Sequence, residues 1–136
     1  MRYLLDADSA IDHFGRAIDL ARALPDLGSR DLAMSAVTLI ELYTSVYGSR
    51  DPARAERQLR HFLRTLTLIP LNQRVILATA RVRHDLLSRR LSIKPRAYDL
   101  IVAATALEYG LTLVTSNTRD YQDVAGLTLF NPRTIA

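Results

Sequence analysis

Short apolar runs alternate along this chain with longer segments of helical periodicity, and few hairpin-type turn signals separate them. That alternation constrains the fold more than any other feature. Strands joined through helices pair in parallel and need a helical layer on each face. Residues 2–5 (Arg-Tyr-Leu-Leu), 32–37 (Leu-Ala-Met-Ser-Ala-Val), 66–69, 111–115 and 127–130 read as short strands. Residues 9–24 carry Ile11, Phe14, Ile18 and Ala21 at helical spacing and close at Pro25. A second helix is expected from Thr38 to Tyr47, ended by Gly48. Residues 53–65 set Ala55, Leu59, Phe62 and Leu66 against a row of Arg54, Arg57, Arg60 and Arg64. Residues 73–90 repeat through Val75, Thr79, Val82 and Leu86, Pro95 interrupts the chain, and residues 99–109 form a largely apolar helix that Gly110 stops. The expected fold class is therefore α/β, a three-layer α/β/α sandwich with a mainly parallel sheet. At 136 residues, 49% of them hydrophobic and 24% charged, the chain is expected to form a single domain spanning 1–136. It is too short for a catalytic domain plus a separate DNA-binding domain.

The chemistry is narrowed by what the chain lacks. There is no Cys, so disulfides, thiolate zinc sites and a cysteine nucleophile are excluded together. No Gly-rich phosphate loop, Walker motif or G-x-S-x-G is present, which removes support for an NTPase or a serine hydrolase. The first residues are too short an apolar run for a signal peptide, and the longest apolar stretch, Leu100 to Leu107, is far below a membrane span. A soluble, cytoplasmic protein without membrane attachment is the expectation. The formal charge is +4, and all 18 basic residues except Lys94 are Arg, whose planar fork pairs with phosphate. The balance leans towards nucleic acid.

In an open parallel sheet, ligands bind outside the carboxyl ends of the strands. Acidic residues gather at those positions. Asp6 ends the first strand, with Asp8 just beyond it; Glu41 follows the second; Asp99 opens the apolar helix; Asn117 and Asp120 follow the strand ending at Thr115. Singly, each has a structural explanation. Thr38-x-x-Glu41 fits a helix capping box, Asp99 fits a cap, and Asp6, Asp8 and Asp120 fit turns. Together they argue for a cation, because clustered carboxylates repel and raise one another's pKa. An all-oxygen donor set points to Mg²⁺ or Mn²⁺ rather than Zn²⁺. A divalent ion at such a rim suits phosphodiester hydrolysis and requires no serine or histidine nucleophile.

Four segments carry a family resemblance: Tyr3-Leu-Leu-Asp6, Ser35-Ala-Val-Thr38-Leu-Ile-Glu41-Leu, Asp99-Leu-Ile-Val-Ala-Ala-Thr-Ala-Leu and Leu113-Val-Thr-Ser-Asn117-Thr-Arg-Asp120-Tyr. They closely resemble PIN-domain ribonucleases, above all the VapC-type toxins of bacterial toxin–antitoxin pairs. The resemblance runs through Leu127-Thr-Leu-Phe-Asn131-Pro132. It implies a Mg²⁺- or Mn²⁺-dependent endoribonuclease acting on tRNA, rRNA or mRNA, a homodimer, and a cognate VapB-type antitoxin that blocks the site. By position, Asp6, Glu41 and Asp99 match the family's acidic triad. Either Asn117 or Asp120 supplies the fourth ligand, around one metal ion or two. Thr38 and Thr115 match hydroxyl positions near the site that hold water or phosphate. Arg119 and Lys94 sit beside site residues as phosphate contacts. The family's Asp-Thr-Asn is here Asp6-Ala7-Asp8-Ser9, and the expectation is that Asp8 caps the helix beginning at Ser9.

Tyr98 and Tyr121 read equally as base-stacking or packing residues. The Arg row on residues 54, 57, 60 and 64 reads as a solvated face or as an RNA or antitoxin contact. His84-Asp85 resembles a phosphohydrolase metal pair but falls mid-helix, where a surface role is expected. Two rival functions stand beside the nuclease. One is a catalytically silent PIN fold that binds RNA or protein, for which Asn117 is the best argument. The other is a receiver-type Mg²⁺-binding signalling domain, disfavoured because residues 66–69 lead into Pro70-Leu71-Asn72 rather than an Asp.

Overall fold

The computed structural model describes residues 1–14, 19–24, 26–28, 30–94 and 96–134. Five strands form one parallel sheet: β1 (Tyr3–Leu5), β2 (Leu32–Ser35), β3 (Thr67–Ile69), β4 (Thr112–Val114) and β5 (Leu129–Phe130), in the order β3-β2-β1-β4-β5. Six α-helices flank it among the described residues: α1 (Ala7–Phe14), α2 (Leu20–Ala23), α3 (Ala36–Tyr47), α4 (Pro52–Leu63), α5 (Gln73–Ser88) and α6 (Ala97–Tyr109). The α/β/α sandwich expected from the alternation is the architecture found.

Successive strand residues point to opposite faces. Leu4, Ala33 and Leu113 join one core with Val75 and Leu86 of α5 and Leu100 and Ala103 of α6. Their neighbours Leu5, Met34 and Val114 join a second core with Ala10 of α1, Leu42 of α3, and Leu59 and Phe62 of α4. All six of these strand residues are fully buried. The strands are so short that ladder hydrogen bonds, at about 1 kcal/mol net each, contribute little. Burying each Leu or Met is worth about 1.5–3 kcal/mol, so the two helical layers hold the sheet together.

Leu5 pairs with Met34 on one side and Val114 on the other, so β1, β2 and β4 end level. The chain runs outward from β1 to β2 and β3, then returns to β4 on the opposite side of β1. The carboxyl ends of β1 and β4 therefore border the point where the winding reverses, the place where such sheets open a crevice.

Several boundaries differ from expectation. The helix expected over 9–24 begins at Ala7, and α2 is separate from α1; Ile18, Pro25 and Pro95 lie outside the described residues. The strand expected over 32–37 stops at Ser35, whose hydroxyl accepts the Val37 N–H at 3.3 Å and starts α3 two residues before Thr38. The last helix begins at Ala97, not Asp99. Gly110 ends it in the left-handed region (φ 65°), as the stop signal required, and turns the chain directly into β4.

Candidate active site

The level ends of β1, β2 and β4 bring four chain segments to one edge. Asp6 follows β1 directly. Its Oδ1 accepts the Ser9 N–H at 2.8 Å, so Asp6 itself is the cap of α1. The expected capping role of Asp8 is therefore corrected: Asp8 lies inside the first turn of α1, exposed. The capping box at Thr38 and Glu41 is corrected too, because Ser35 caps α3. Thr38 and Glu41, three residues apart, lie on one face of α3 and turn towards the edge. Asp99 sits in the first turn of α6, and Asp120 lies in a 3-10 turn at Thr118–Tyr121 that follows β4.

Asp6, Asp8, Thr38, Glu41, Asp99, Asn117, Asp120 and Tyr121 line one cavity of about 40 Å³. On this measure one water needs roughly 10–15 Å³, so the cavity has room for an ion with a water or two. All eight were singled out in the sequence, six of them (Asp6, Thr38, Glu41, Asp99, Asn117 and Asp120) as site residues, Asp8 as a cap and Tyr121 as a stacking or packing residue. Thr115 is not at the wall. It is fully buried below Asp6, where its hydroxyl bonds the Asp6 carboxylate and accepts the Asn117 N–H at 3.0 Å. A supporting position replaces the expected contact with water or phosphate. Arg119, Lys94 and Tyr98 are exposed outside the cavity wall. Tyr121 is buried, and its hydroxyl donates to Asp99 Oδ1 at 3.3 Å, which excludes stacking on a base. His84 is exposed on α5 and Asp85 pairs with Arg89, in keeping with a surface role.

The electrostatics follow from crowding. Burial pushes the Asp6 carboxyl above the usual range; bonds from Thr115 and Ser9 oppose the rise, and the Asp8 charge adds to it. Glu41 is raised by burial and then by the charges of Asp99, Asp8 and Asp6. Asp99 is raised by burial, lowered by the Tyr121 hydroxyl, raised by Asp120 and lowered by Arg96. Burial and the nearby Asp99 charge keep the Tyr121 phenol protonated, so it acts as a donor. Asp6, Glu41 and Asp99 thus each feel another carboxylate of the cavity.

Whether this donor set fits a divalent cation has a direct test. The Thr38 Oγ1 is fully buried, lines the cavity and has no hydrogen-bond partner. An orphaned buried hydroxyl is costly unless something absent from the protein itself satisfies it. All-oxygen ligands of high negative charge suit Mg²⁺ or Mn²⁺. Among the described residues no three acidic or histidine side chains already close into a coordination shell.

Two residues that the sequence did not flag organise the rim. Arg96, just before α6, donates to both Asp123 carboxylate oxygens at 2.7 and 2.6 Å, and to the carbonyls of Asp120 and Ser92 at 2.9 Å each. One guanidinium thereby ties the turn carrying Asp120 to the start of the helix carrying Asp99. No local pattern signals this pairing, because its partners lie far apart in the chain.

The PIN domain pattern matches residues 3–127. The tRNA(fMet)-specific endonuclease VapC of Salmonella typhimurium is 25% identical over 130 residues, covering 93% of this chain and 95% of its own. The solved DNA-bound VapBC from Salmonella typhimurium has the same fold, with a TM-score of 0.85 at 23% identity over 97% of this chain and 98% of that one. FitAcB from Neisseria gonorrhoeae gives a TM-score of 0.79 at 26% identity over 96% and 98%. With the family pattern running from β1 through β4, the six helices and the acidic edge, the chain belongs to the PIN-domain family and is a homologue of VapC.

Proposed function

We propose that this protein is a Mg²⁺- or Mn²⁺-dependent endoribonuclease, the toxin of a toxin–antitoxin pair, acting in the cytoplasm as a homodimer and inhibited by a VapB-type antitoxin. One observation carries the reading. Carboxylates from four separate segments meet an orphaned buried hydroxyl in one ion-sized cavity, at the winding reversal of a parallel sheet. Asp6, Asp99 and Asp120 hold the ion, with the Asn117 carbonyl as a neutral helper. When bound, Mg²⁺ or Mn²⁺ supplies Lewis acidity towards a phosphate oxygen and lowers the pKa of water. Glu41 holds the ion or takes the proton of the attacking water. Thr38 holds a water molecule, Thr115 keeps Asp6 in place, and Arg119 contacts phosphate. Water attacks phosphorus, the P–O3′ bond breaks and the 3′ oxygen leaves protonated, so the products carry a 5′-phosphate and a 3′-hydroxyl.

The Salmonella relative is a tRNA(fMet)-specific endonuclease, which makes tRNA the first substrate to try; rRNA and mRNA follow. Its fold neighbours include VapBC complexes, which supports an antitoxin partner. The test is cleavage of bulk tRNA and total RNA by purified protein in Mn²⁺, in EDTA, and with Asp99→Asn. Metal-dependent cutting that Asp99→Asn abolishes is the expected result. Cutting that survives both EDTA and the substitution refutes the proposal, and metal binding without turnover favours the silent fold instead.

A further inference from the structure

The side chain amide of Asn117 donates from Nδ2 to Asp8 Oδ2, joining the turn after β4 to the first turn of α1 across 109 residues of chain. Both residues line the acidic cavity. Asp8 is not needed as a helix cap, since Asp6 fills that place, and Asp8 has no cationic partner among the described residues. The charge of Asp8 nevertheless reaches Asp6, Glu41 and Asp99. The helix dipole and the Asn117 amide favour Asp8 where it stands, and a cation would offset the repulsion from the four other carboxylates lining the cavity. A carboxylate bonded to an amide is fixed in direction by a neutral donor, which keeps its charge available. The independent sign that this cavity takes a ligand is the fully buried, unpartnered Thr38 hydroxyl on its wall.

We infer that Asp8 is a further metal-binding carboxylate of this site, and that Asn117 is a positioning residue that aims it. The inference rests on the divalent-cation reading above and deepens it. Asp8 adds a negative charge from the first turn of α1 to the one that Asp120 brings from the turn after β4. Asn117 contributes the donor that orients it.

The test is a Mn²⁺ titration followed by calorimetry and by the metal-induced rise in melting temperature, on the full chain. It compares the parent, Asp8→Asn, Asn117→Asp and the double exchange. Asp8 and Asn117 are both exposed, so folding is expected to survive. Asp8→Asn should weaken Mn²⁺ binding by about 10-fold or more, on the scale seen when metal ligands or their supports are removed. Asn117→Asp sets two carboxylates against each other and should lower the melting temperature in EDTA, with Mn²⁺ restoring it. The double exchange keeps one carboxylate and one amide in contact and should recover binding to near the parent. If Asp8→Asn binds Mn²⁺ as the parent does, the assignment of Asp8 is overturned while the metal centre stands. If Asp8→Asn weakens binding and the exchange brings no recovery, the role of Asn117 is overturned. A parent protein with no Mn²⁺ response in either readout overturns the cation reading and this inference together.

Discussion

Replacing Arg96 with Ala removes the tie between the Asp120 turn and the start of α6. The lost contacts are a two-pronged ion pair to Asp123 and bonds to the carbonyls of Asp120 and Ser92. The side chains are 16% exposed for Arg96 and 31% for Asp123. Breaking a fully buried pair costs about 3–5 kcal/mol and an exposed one about 0–1 kcal/mol, so this partly buried clamp should cost about 2–3 kcal/mol. Unfolding entropy near 2.1 cal/mol/K per residue gives about 0.29 kcal/mol/K for 136 residues, hence a fall of about 7–10 °C in melting temperature. Arg96→Lys should lose most of the same stability, because an ammonium keeps the charge but not the fork.

The loss also has a pH signature. Arg96 holds the Asp123 carboxyl below its ordinary range. The unfolded chain therefore binds the proton first on acidification. The clamp's stabilisation is fully present above the unfolded carboxylate pKa of about 3.9 and disappears as pH falls through the lower folded value. Thermal melts in EDTA, followed by circular dichroism at pH 7 and at stepwise lower pH, measure both effects. An Arg96→Ala protein that melts with the parent at pH 7, or a difference that persists unchanged into strong acid, would falsify the clamp.

Three further outcomes are expected. Asp99→Asn should melt above the parent in EDTA at pH 7, because the neutral amide keeps an acceptor for Tyr121 and removes one of the crowded charges. Since the folded Asp99 carboxyl is raised, its favourable contribution is present below the unfolded pKa and lost as pH rises through the folded value. The gain should therefore shrink towards about pH 4, and Mn²⁺ should reverse the order of the two proteins; a variant less stable at neutral pH in EDTA refutes the crowding. Thr38→Val removes a buried hydroxyl with no partner, a cost of about 1–3 kcal/mol, so it should raise the melting temperature in EDTA and blunt the rise that Mn²⁺ produces. Gly110→Ala meets no atom within 4 Å, so its cost is the left-handed backbone alone. That cost, about 1–2 kcal/mol, predicts a fall of about 3–7 °C in a thermal melt.

Local chemistry wrote much of this protein into its one-dimensional order. Apolar runs at two different periods separated strands from helices, Gly110 stopped α6 where a left-handed residue was needed, and acids stood directly after strand ends. Those signals lie within a few residues of what they specify, so they are visible before folding. The finer points were competitions between neighbours with similar chemistry. Ser35 took the cap that Thr38 also offered, and Asp6 took the one expected of Asp8, because the level ends of β1, β2 and β4 determined where each helix could begin. That choice left Thr38 without a partner inside the cavity and put Asp8 on its wall. The clamp of Arg96 on Asp123, the burial of Thr115 beneath Asp6 and the contact of Asn117 with Asp8 join residues 27, 109 and 109 positions apart. No local pattern encodes such pairs; the register of the parallel sheet creates them.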